Sequence, residues 1–418
     1  MELSVFADVL DASFDAALDK AAGIGLRAVD LRTKLDGHTV DTIDTPGVAR
    51  IAAQLERRGF SAASIASWGV NPISGDYDPR DPDYRRRMKE RVQHLAELAR
   101  NLNSQNVRVY SFKRPPQSSV VTDADYASNA AFLSELADIA AKSGRTLVIE
   151  NEPPNLSATC KEMGDLMRRS GHPALRINWD IVNGWTAGEI PWKGDVFNAI
   201  AGYVAHVHIK GARANADGSF ASMALPGADD VPHAELVRKL WRSGYRGYLS
   251  IDPHYHQFAE ADKLSGVADA TLEVVRRTHR YFTKLIADIK QESQRGEPSC
   301  APVSNQAAPC EKYPWGDIRW PASRAACGAR ELTLGVTHVA PGASNPVHRH
   351  PNCEEVLVVI RGEIEHYIEG TPRVRMKAGE TIVIPRNRRH QARNAGATEA
   401  ELLVAFSSAE RETVIDQA

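Results

Sequence analysis

Little in this sequence cross-links or tethers it. Five of its 418 residues are cysteine (Cys160, Cys300, Cys310, Cys327 and Cys353), and no two form a CxxC pair. So sparse and odd a set excludes a disulfide scaffold or a thiolate zinc ribbon. It points to reduced thiols in the cytoplasm, where Cys300 and Cys310 would bridge only if the setting turned oxidising. An excess of one charge is also missing: 51 Lys and Arg stand against 53 Asp and Glu, a net of −2. That removes the general electrostatic reason to bind nucleic acid or an anionic membrane. No apolar run approaches the roughly 18 residues of a membrane span. The opening MELSVFADVLDASFDAALDK carries acids where a secretory signal has a basic region. No glycine-rich turn follows the first apolar run, which argues against a doubly wound sheet with a dinucleotide site.

What is present divides in two. The chain is too long for one ordinary core. Residues 1–289 alternate eight short apolar runs, from LSVFAD to GYLSIDPH, with amphipathic stretches such as DYASNAAFLSELADIAAKSG, which Gly144 ends. Strands alternating with helices imply a parallel sheet, and eight such units in under 300 residues fit a (β/α)8 TIM barrel. Residues 290–312 are rich in Pro, Ser and polar side chains without periodicity and read as a linker. From 313 to 418 the texture changes to short β-rich runs between Gly, Pro and Asn, such as EEVLVVIRGEIEHYIEG and ETIVIP. That predicts a small all-β barrel or sandwich.

Barrel enzymes place their chemistry at the C-terminal ends of strands. The last four strands end in LVIENEP (Glu150, Glu152), INWDIVN (Asp180), HVHIKG (His206, His208, Lys210) and LSIDPHYH (Asp252, His254, His256). Each therefore delivers a potential metal ligand, and neighbouring strands are about 5 Å apart, close enough for such side chains to converge. Carboxylates with an imidazole make a hard oxygen–nitrogen site suited to Mn, Mg or Co. Such an ion polarises a carbonyl and acidifies the adjacent C–H, and flanking carboxylates move the proton. Lys210 shares a strand face with His208, where it would neutralise an oxyanion or bind an acidic group. Glu152, Arg213 and His254 are candidate substrate contacts, and Trp68, Trp185 and Trp192 would wall a sugar pocket with aromatic faces.

Through LVIENEP, INWDIVNGWTAGEIPW, VAHVHIKGA and VRKLWRSGYRGYLSIDPH, residues 1–288 resemble the xylose-isomerase-like barrels of sugar isomerases and epimerases. The resemblance implies a divalent metal held by Glu150, Asp180, His208 and Asp252, with the first and last carboxylates as an acid/base pair. Two positions depart from that pattern. Asp252 stands where glutamate is usual, one methylene shorter, and Asn183 stands where many sugar epimerases have a substrate-binding histidine.

The second half carries Gly342-x5-His348-x-His350-x4-Glu355-x6-Gly362 and then Gly379-x5-Pro385-x4-His390-x3-Asn394. These two blocks resemble the two motifs of the cupin family, with Asn387 in place of a glycine. The resemblance implies a small β-barrel with metal held by His348, His350, Glu355 and His390; Glu354 is the rival carboxylate. Three imidazoles and a carboxylate suit Mn, Fe, Ni, Zn or Cu.

The expected protein is thus a cytoplasmic, metal-dependent isomerase or epimerase of a carbohydrate, with Glu150 as base and Asp252 or a water returning the proton. It is expected to bind no nucleic acid or membrane and, as cupins do, to form a homodimer or larger homo-oligomer. The alternatives are a lyase or dehydratase on a keto-sugar or keto-glycoside, and a sugar-sensing protein without turnover.

Overall fold

The computed structural model describes residues 1–67, 81–114, 121–294 and 301–415, in two compact units, Met1–Ile289 and Lys290–Ala418. In the first unit, β1 (Glu2–Phe6), β2 (Ala28–Leu31), β3 (Ser61–Ala66), β4 (Asn106–Tyr110), β5 (Thr146–Glu150), β6 (Leu175–Asp180) and β7 (Val204–Ile209) are seven parallel barrel strands. A hairpin of β8 (Gly211–Ala214) and β9 (Phe220–Ala224) follows, and β10 (Tyr248–Ile251) pairs with both β7 and β1 to close the ring. The eight expected strands are therefore present as a closed (β/α)8 barrel. They read as continuous apolar runs because they are covered on both faces; every residue of β2 and β4 is buried.

The helices explain their own boundaries. Helix α1 (Phe14–Ile24) starts at the Ser13 cap, α2 spans Thr45–Arg58 and α3 spans Pro82–Asn101. In α4 (Asp123–Lys142) a Thr122–Asp125 capping box satisfies the first orphan N–H groups, and in α5 (Cys160–Ser170) a Thr159–Glu162 box does the same. Helix α4 stops where expected: Gly144 takes φ +68°, a left-handed geometry that costs a residue without Cβ little. A short α6 (Ile181–Thr186) leaves β6 with Asp180 as its cap; α7 spans His233–Arg242 and α8 Ala270–Gln294.

The second unit is antiparallel. One sheet has the order β11 (Cys310–Tyr313), β12 (Gly316–Ala322), β13 (Thr333–Val339), β20 (Ala400–Phe406), β15 (Glu355–Arg361), β18 (Thr381–Ile384). The other runs β17 (Val374–Lys377), β16 (Glu363–Ile368), β19 (His390–Asn394), β14 (His348–Arg349), β21 (Val414–Ile415). Alternate residues of β15, β16 and β20, among them Leu357, Val359, Ile364 and Leu402, point inward and form the core. Strand β11 begins at Cys310, inside the stretch read as linker. Asn387 takes φ +63°, the left-handed turn for which glycine is usual. Among the described residues no helix is long and apolar enough to cross a membrane, and Cys160, Cys310, Cys327 and Cys353 are free thiols. Trp68 and Cys300 lie outside the described residues.

Candidate active site and metal centres

Strand register brings the barrel's ligands together. Glu150 pairs with Asn178 across β5–β6, and Asp180 pairs with His208 across β6–β7. Ligand atoms of Glu150, Asp180 and His208 all lie within 4.8 Å of one another, and all three residues are buried. Glu150 Oε1 is 2.9 Å from His208 Nδ1, and Asp180 Oδ2 is 3.8 Å from the same nitrogen. Asp180 Oδ1 accepts the N–H groups of Val182 and Asn183, both at 3.0 Å, so the cap of α6 fixes this carboxylate and leaves Oδ2 facing the site. Asn151 pins it from behind, accepting Asp180 N–H at 2.7 Å and donating to its carbonyl at 3.0 Å.

Glu150 and His208 line a cavity of about 690 Å³ at the C-terminal end of the barrel, together with Glu152, Asn183, Lys210, Asp252 and His254, while Asp180 lies behind its wall. Asp252 does not join the convergent three. Its Oδ2 pairs with Lys210 Nζ at 3.1 Å and with His254 Nε2 at 2.8 Å. Lys210 is only 5% exposed, and its Nζ also lies 2.8 Å from Asp180 Oδ2. It is therefore an internal cation bridging two carboxylates. Asn183 donates to Glu152 Oε2 at 2.7 Å. His254 holds a left-handed backbone (φ +42°) beside the cavity, a geometry that costs a non-glycine residue energy and fixes its ring over Asp252.

Three expected contacts, Trp185, Trp192 and Arg213, are elsewhere. Trp185 is buried against Trp192 and Phe220, with its indole N–H donated to the Gly218 carbonyl at 3.0 Å. Arg213 makes a forked pair with Asp262, at 2.9 and 3.3 Å. None of the three lines the cavity: β8 and β9 turn the chain after β7 into a hairpin that carries Arg213 and packs Phe220 and the Gly218 carbonyl on Trp185. His206 lies one layer below His208: its Nε2 is 2.8 Å from Asp30 Oδ1, and Ser4, Ser64 and Ser250 donate to the same carboxylate.

The sequence reading missed Arg108. It is 1% exposed on β4, its Nε is 3.2 Å from Glu150 Oε2, and its guanidinium lies 4.6 Å from the centre of the Tyr110 ring. The available signal was a charged residue inside an otherwise apolar barrel strand. Asn178, whose Nδ2 lies 3.1 Å from His208 Nε2, was also missed.

Electrostatics set the roles apart. Burial opposes ionisation of Glu150, but the charges of His208 and Arg108 win and hold it at about 2. Burial, with repulsion from Glu150, pushes Glu152 up to about 7. Asp252 is also desolvated, yet Lys210 and His254 hold it well below the carboxylate range. Burial likewise works against the charge of Lys210, but Asp180, Asp252 and Glu150 keep it protonated. Glu150, Glu152, Asp180 and Asp252 are four carboxylates, and Arg108 and Lys210 are two permanent cations. Asp180 Oδ2 and Glu150 Oε2 are buried beside Lys210 Nζ and Arg108 Nε, at 2.8 and 3.2 Å, and with the His208 imidazole they make a hard oxygen–nitrogen donor set. The donor set thus fits a hard divalent metal.

The cupin cluster is tighter. His348, His350, Glu355 and His390 place ligand atoms within 4.8 Å of one another. Glu355 Oε2 is 3.2 Å from His350 Nε2 and 2.9 Å from His390 Nε2, whereas Glu354 is exposed. The Nδ1 atoms of His348, His350 and His390 meet the carbonyls of Pro346, Glu412 and Arg388 at 2.9, 2.8 and 3.0 Å. A carbonyl only accepts, so each Nδ1 carries a proton and Nε2 is the ring atom whose lone pair each histidine could offer to a metal, in place of the contacts that His350 and His390 make with Glu355. Three lone pairs and a carboxylate converging on one point fit a transition metal.

Burial, reinforced by His390, pushes His348 down to about 4, and burial does the same to His366 on β16. In metal-free protein the unfolded chain would take up protons at these two residues below 6.5, while the folded chain refuses them until about 4. Stability of this unit is therefore lost as the pH falls through that window. His390, shifted upward by Glu355 against burial, offsets part of the loss. Hydrogen–deuterium exchange of peptides from 355–406, corrected for intrinsic rate, should show weaker protection at pH 5 than at pH 7; equal protection contradicts this.

The comparisons with known proteins agree with this geometry. Residues 18–278 match the xylose isomerase-like TIM barrel model and residues 335–406 the cupin domain model, so the chain belongs to the xylose isomerase-like barrels and carries a cupin domain after it. Among solved structures, an L-ribulose 3-epimerase superposes with a TM-score of 0.55 at 17% identity, over 71% of this chain and 99% of its own. The probable 3-DHS dehydratase AsbF from Bacillus anthracis gives 0.52 at 16% identity, over 68% of this chain and 99% of its own. The cupin segment is 44% identical over 87 residues to a putative germin-like protein 3-4 of Oryza sativa subsp. japonica, 18% of this chain and 38% of that protein. It is 41% identical over 88 residues to oxalate oxidase GF-2.8 of Triticum aestivum, 18% of this chain and 39% of that protein. The chain thus spans under two-fifths of the length of these curated relatives.

Proposed function

We propose that the barrel is a divalent-metal-dependent isomerase or epimerase of a sugar or polyhydroxy-keto compound, working by proton abstraction next to a carbonyl. The observation that carries the reading is the convergence of buried Glu150, Asp180 and His208 on neighbouring strand ends, where Glu150 and His208 line a cavity with further hydrogen-bonding side chains. Membership of the xylose isomerase-like barrels supports it, as do structural neighbours named as an L-ribulose 3-epimerase and a D-tagatose 3-epimerase-like protein.

Glu150, Asp180 and His208 would hold the ion. Mn, Mg or Co bound there supplies Lewis-acid polarisation of two neighbouring substrate oxygens and acidifies the C–H beside them. Glu150, ionised beside His208 and Arg108, is the base. Asp252, locked between Lys210 and His254, is a poor proton donor, so Glu152 returns the proton in its place. Glu152 lines the cavity, and burial with repulsion from Glu150 raises its pKa, which suits it to carry a proton. Asn183 positions Glu152 and is available to a substrate hydroxyl. Lys210 stabilises negative charge developing on substrate oxygen.

The engagement of Asp252 by Lys210 and His254 also favours a second reading, a one-base elimination by a lyase or dehydratase. Turnover of a keto-sugar panel in heavy water separates the two. Product of unchanged composition that has gained one deuterium supports the isomerase, and loss of water or an aglycone supports the elimination. No turnover by metal-loaded protein across the panel would sink both and favour a sugar-sensing role.

A further inference from the structure

We propose that Asp30 and His206, a buried carboxylate–imidazole pair one layer below the barrel's cluster, are positioning residues that fix the ring of His208 for metal binding. The proposal rests on reading Glu150, Asp180 and His208 as the ion's ligands.

Interior layers of such barrels are dominated by bulky branched apolar side chains. Here one layer is polar. Ser4 on β1, Asp30 on β2, Ser64 on β3, His206 on β7 and Ser250 on β10 are each 0% exposed. Register brings them together, with Ser4 opposite Ser250 and Asp30 opposite Ser64. Asp30 Oδ2 accepts the hydroxyls of Ser4 and Ser250, both at 2.6 Å. Its Oδ1 accepts that of Ser64 at 2.5 Å and lies 2.8 Å from His206 Nε2. Three strands thus supply hydroxyl groups to hold one carboxylate that touches the imidazole of a fourth residue.

Packing alone does not call for this. Desolvating a carboxylate is costly even when it is hydrogen-bonded, and apolar side chains would fill the same layer without that cost. The arrangement has a use because of what lies above it. The ring of His208 is clamped edge-on by two others. Phe6 meets it with ring centres 5.1 Å apart at 69°, and His206 with centres 5.5 Å apart at 87°. The Arg32 guanidinium, 4.2 Å from the centre of the Phe6 ring, backs one side of the clamp. Asp30 backs the other. Among the described residues, His206 Nδ1 is buried without a hydrogen-bond partner, so the contact with Asp30 is what fixes that ring. The clamp keeps His208 Nδ1 toward Glu150 and Asp180, whose oxygens lie 2.9 and 3.8 Å away.

The order of support therefore runs from three serines to Asp30, to His206, to His208. Side chains that orient a ligating histidine typically change metal affinity by about 10–100-fold when replaced. Asp30, His206 and one ring nitrogen of His208 lie within 4.8 Å of one another, a spacing that would also admit an ion. The three hydroxyls already on Asp30 argue for support rather than ligation.

The test is calorimetric titration of manganese into the metal-free full chain, with Glu150→Ala marking which binding event belongs to the barrel. Asp30→Asn and His206→Leu should each weaken that event by about tenfold or more. The d–d absorption of cobalt bound in the barrel should also change in Asp30→Asn, because the ligand geometry loosens. Leu136→Ala, buried on α4 away from the site, should lower the melting temperature and leave manganese affinity unchanged. If Asp30→Asn does not fold, Ser64→Ala removes one hydroxyl from Asp30 and should weaken manganese by about threefold. Unchanged manganese affinity in the Asp30 and His206 variants, with melting lowered as in Leu136→Ala, makes the layer merely structural and overturns the proposal. A second barrel ion that disappears in Asp30→Asn makes Asp30 a ligand and overturns it as well. Manganese binding that Glu150→Ala leaves untouched overturns the metal reading itself, and the proposal with it.

Discussion

Glu150→Gln should lower kcat by about 10²–10⁴-fold, the range that a positioned proton-transfer group contributes. The amide keeps the shape of the side chain but cannot take a proton, and it removes one negative charge from the site. Arg108, buried against Glu150, then loses its nearest carboxylate, while His208 loses the 2.9 Å partner that orients its ring. Metal affinity should fall along with turnover, because a neutral oxygen replaces an anionic one in a three-ligand set. Melting of metal-free Glu150→Gln should shift far less than turnover does, so a variant that is inactive and still folded is the expected result. A drop in kcat of under tenfold would remove Glu150 from the chemistry.

Lys210→Met carries the largest expected effect on stability. The lysine is buried between Asp180 and Asp252, at 2.8 and 3.1 Å. Methionine fills the volume but leaves two desolvated carboxylates without their cation. Removing one partner from a buried pair costs about 3–5 kcal/mol, because the remaining charge stays buried. Divalent ion should recover much of this loss. A cation that binds only the folded state stabilises it by mass action, and it binds better once the competing ammonium is gone. Melting of wild type and Lys210→Met, each with and without manganese, reads both effects. Manganese should raise the melting temperature of the variant more than that of the wild type. Equal stability of the two metal-free proteins would mean that the lysine is solvated in solution rather than paired.

Most of this architecture was legible from spacing. Eight apolar runs separated by helical stretches allow few folds other than a barrel, and strand-end acids on successive strands place the site at one end. What spacing could not supply is the depth of each residue in the barrel and the identity of its partner. His206 and His208 share a strand face, yet one faces Asp30 in the layer below and the other faces Glu150. Only the register of β7 against β6 and β10 separates them. Asp252 was read as a fourth ligand from its place on the strand. Its carboxylate instead meets Lys210 and His254, 42 residues before it and two after it, contacts that no periodicity encodes. Trp185 and Arg213 were assigned to the cavity because they follow strand ends, and the β8–β9 hairpin, which carries no strong sequence signal, engages both. In the cupin, the four side chains that converge sit in motifs with fixed spacing, so their convergence was legible. Arg411 and His366 lie outside those motifs, and only the folded sheets bring them to the same small cavity.

The central claim is that the main reaction belongs to the barrel and that the cupin holds a separate metal. The most direct measurement is metal content and turnover of Glu150→Ala and His348→Ala, compared with wild type on the same keto-sugar panel. The account predicts that Glu150→Ala loses the barrel's metal and turnover while keeping the cupin's metal. His348→Ala should lose the cupin's metal and still turn over the substrate. If only His348→Ala loses activity, the chemistry lies in the cupin and the assignment to the barrel is wrong.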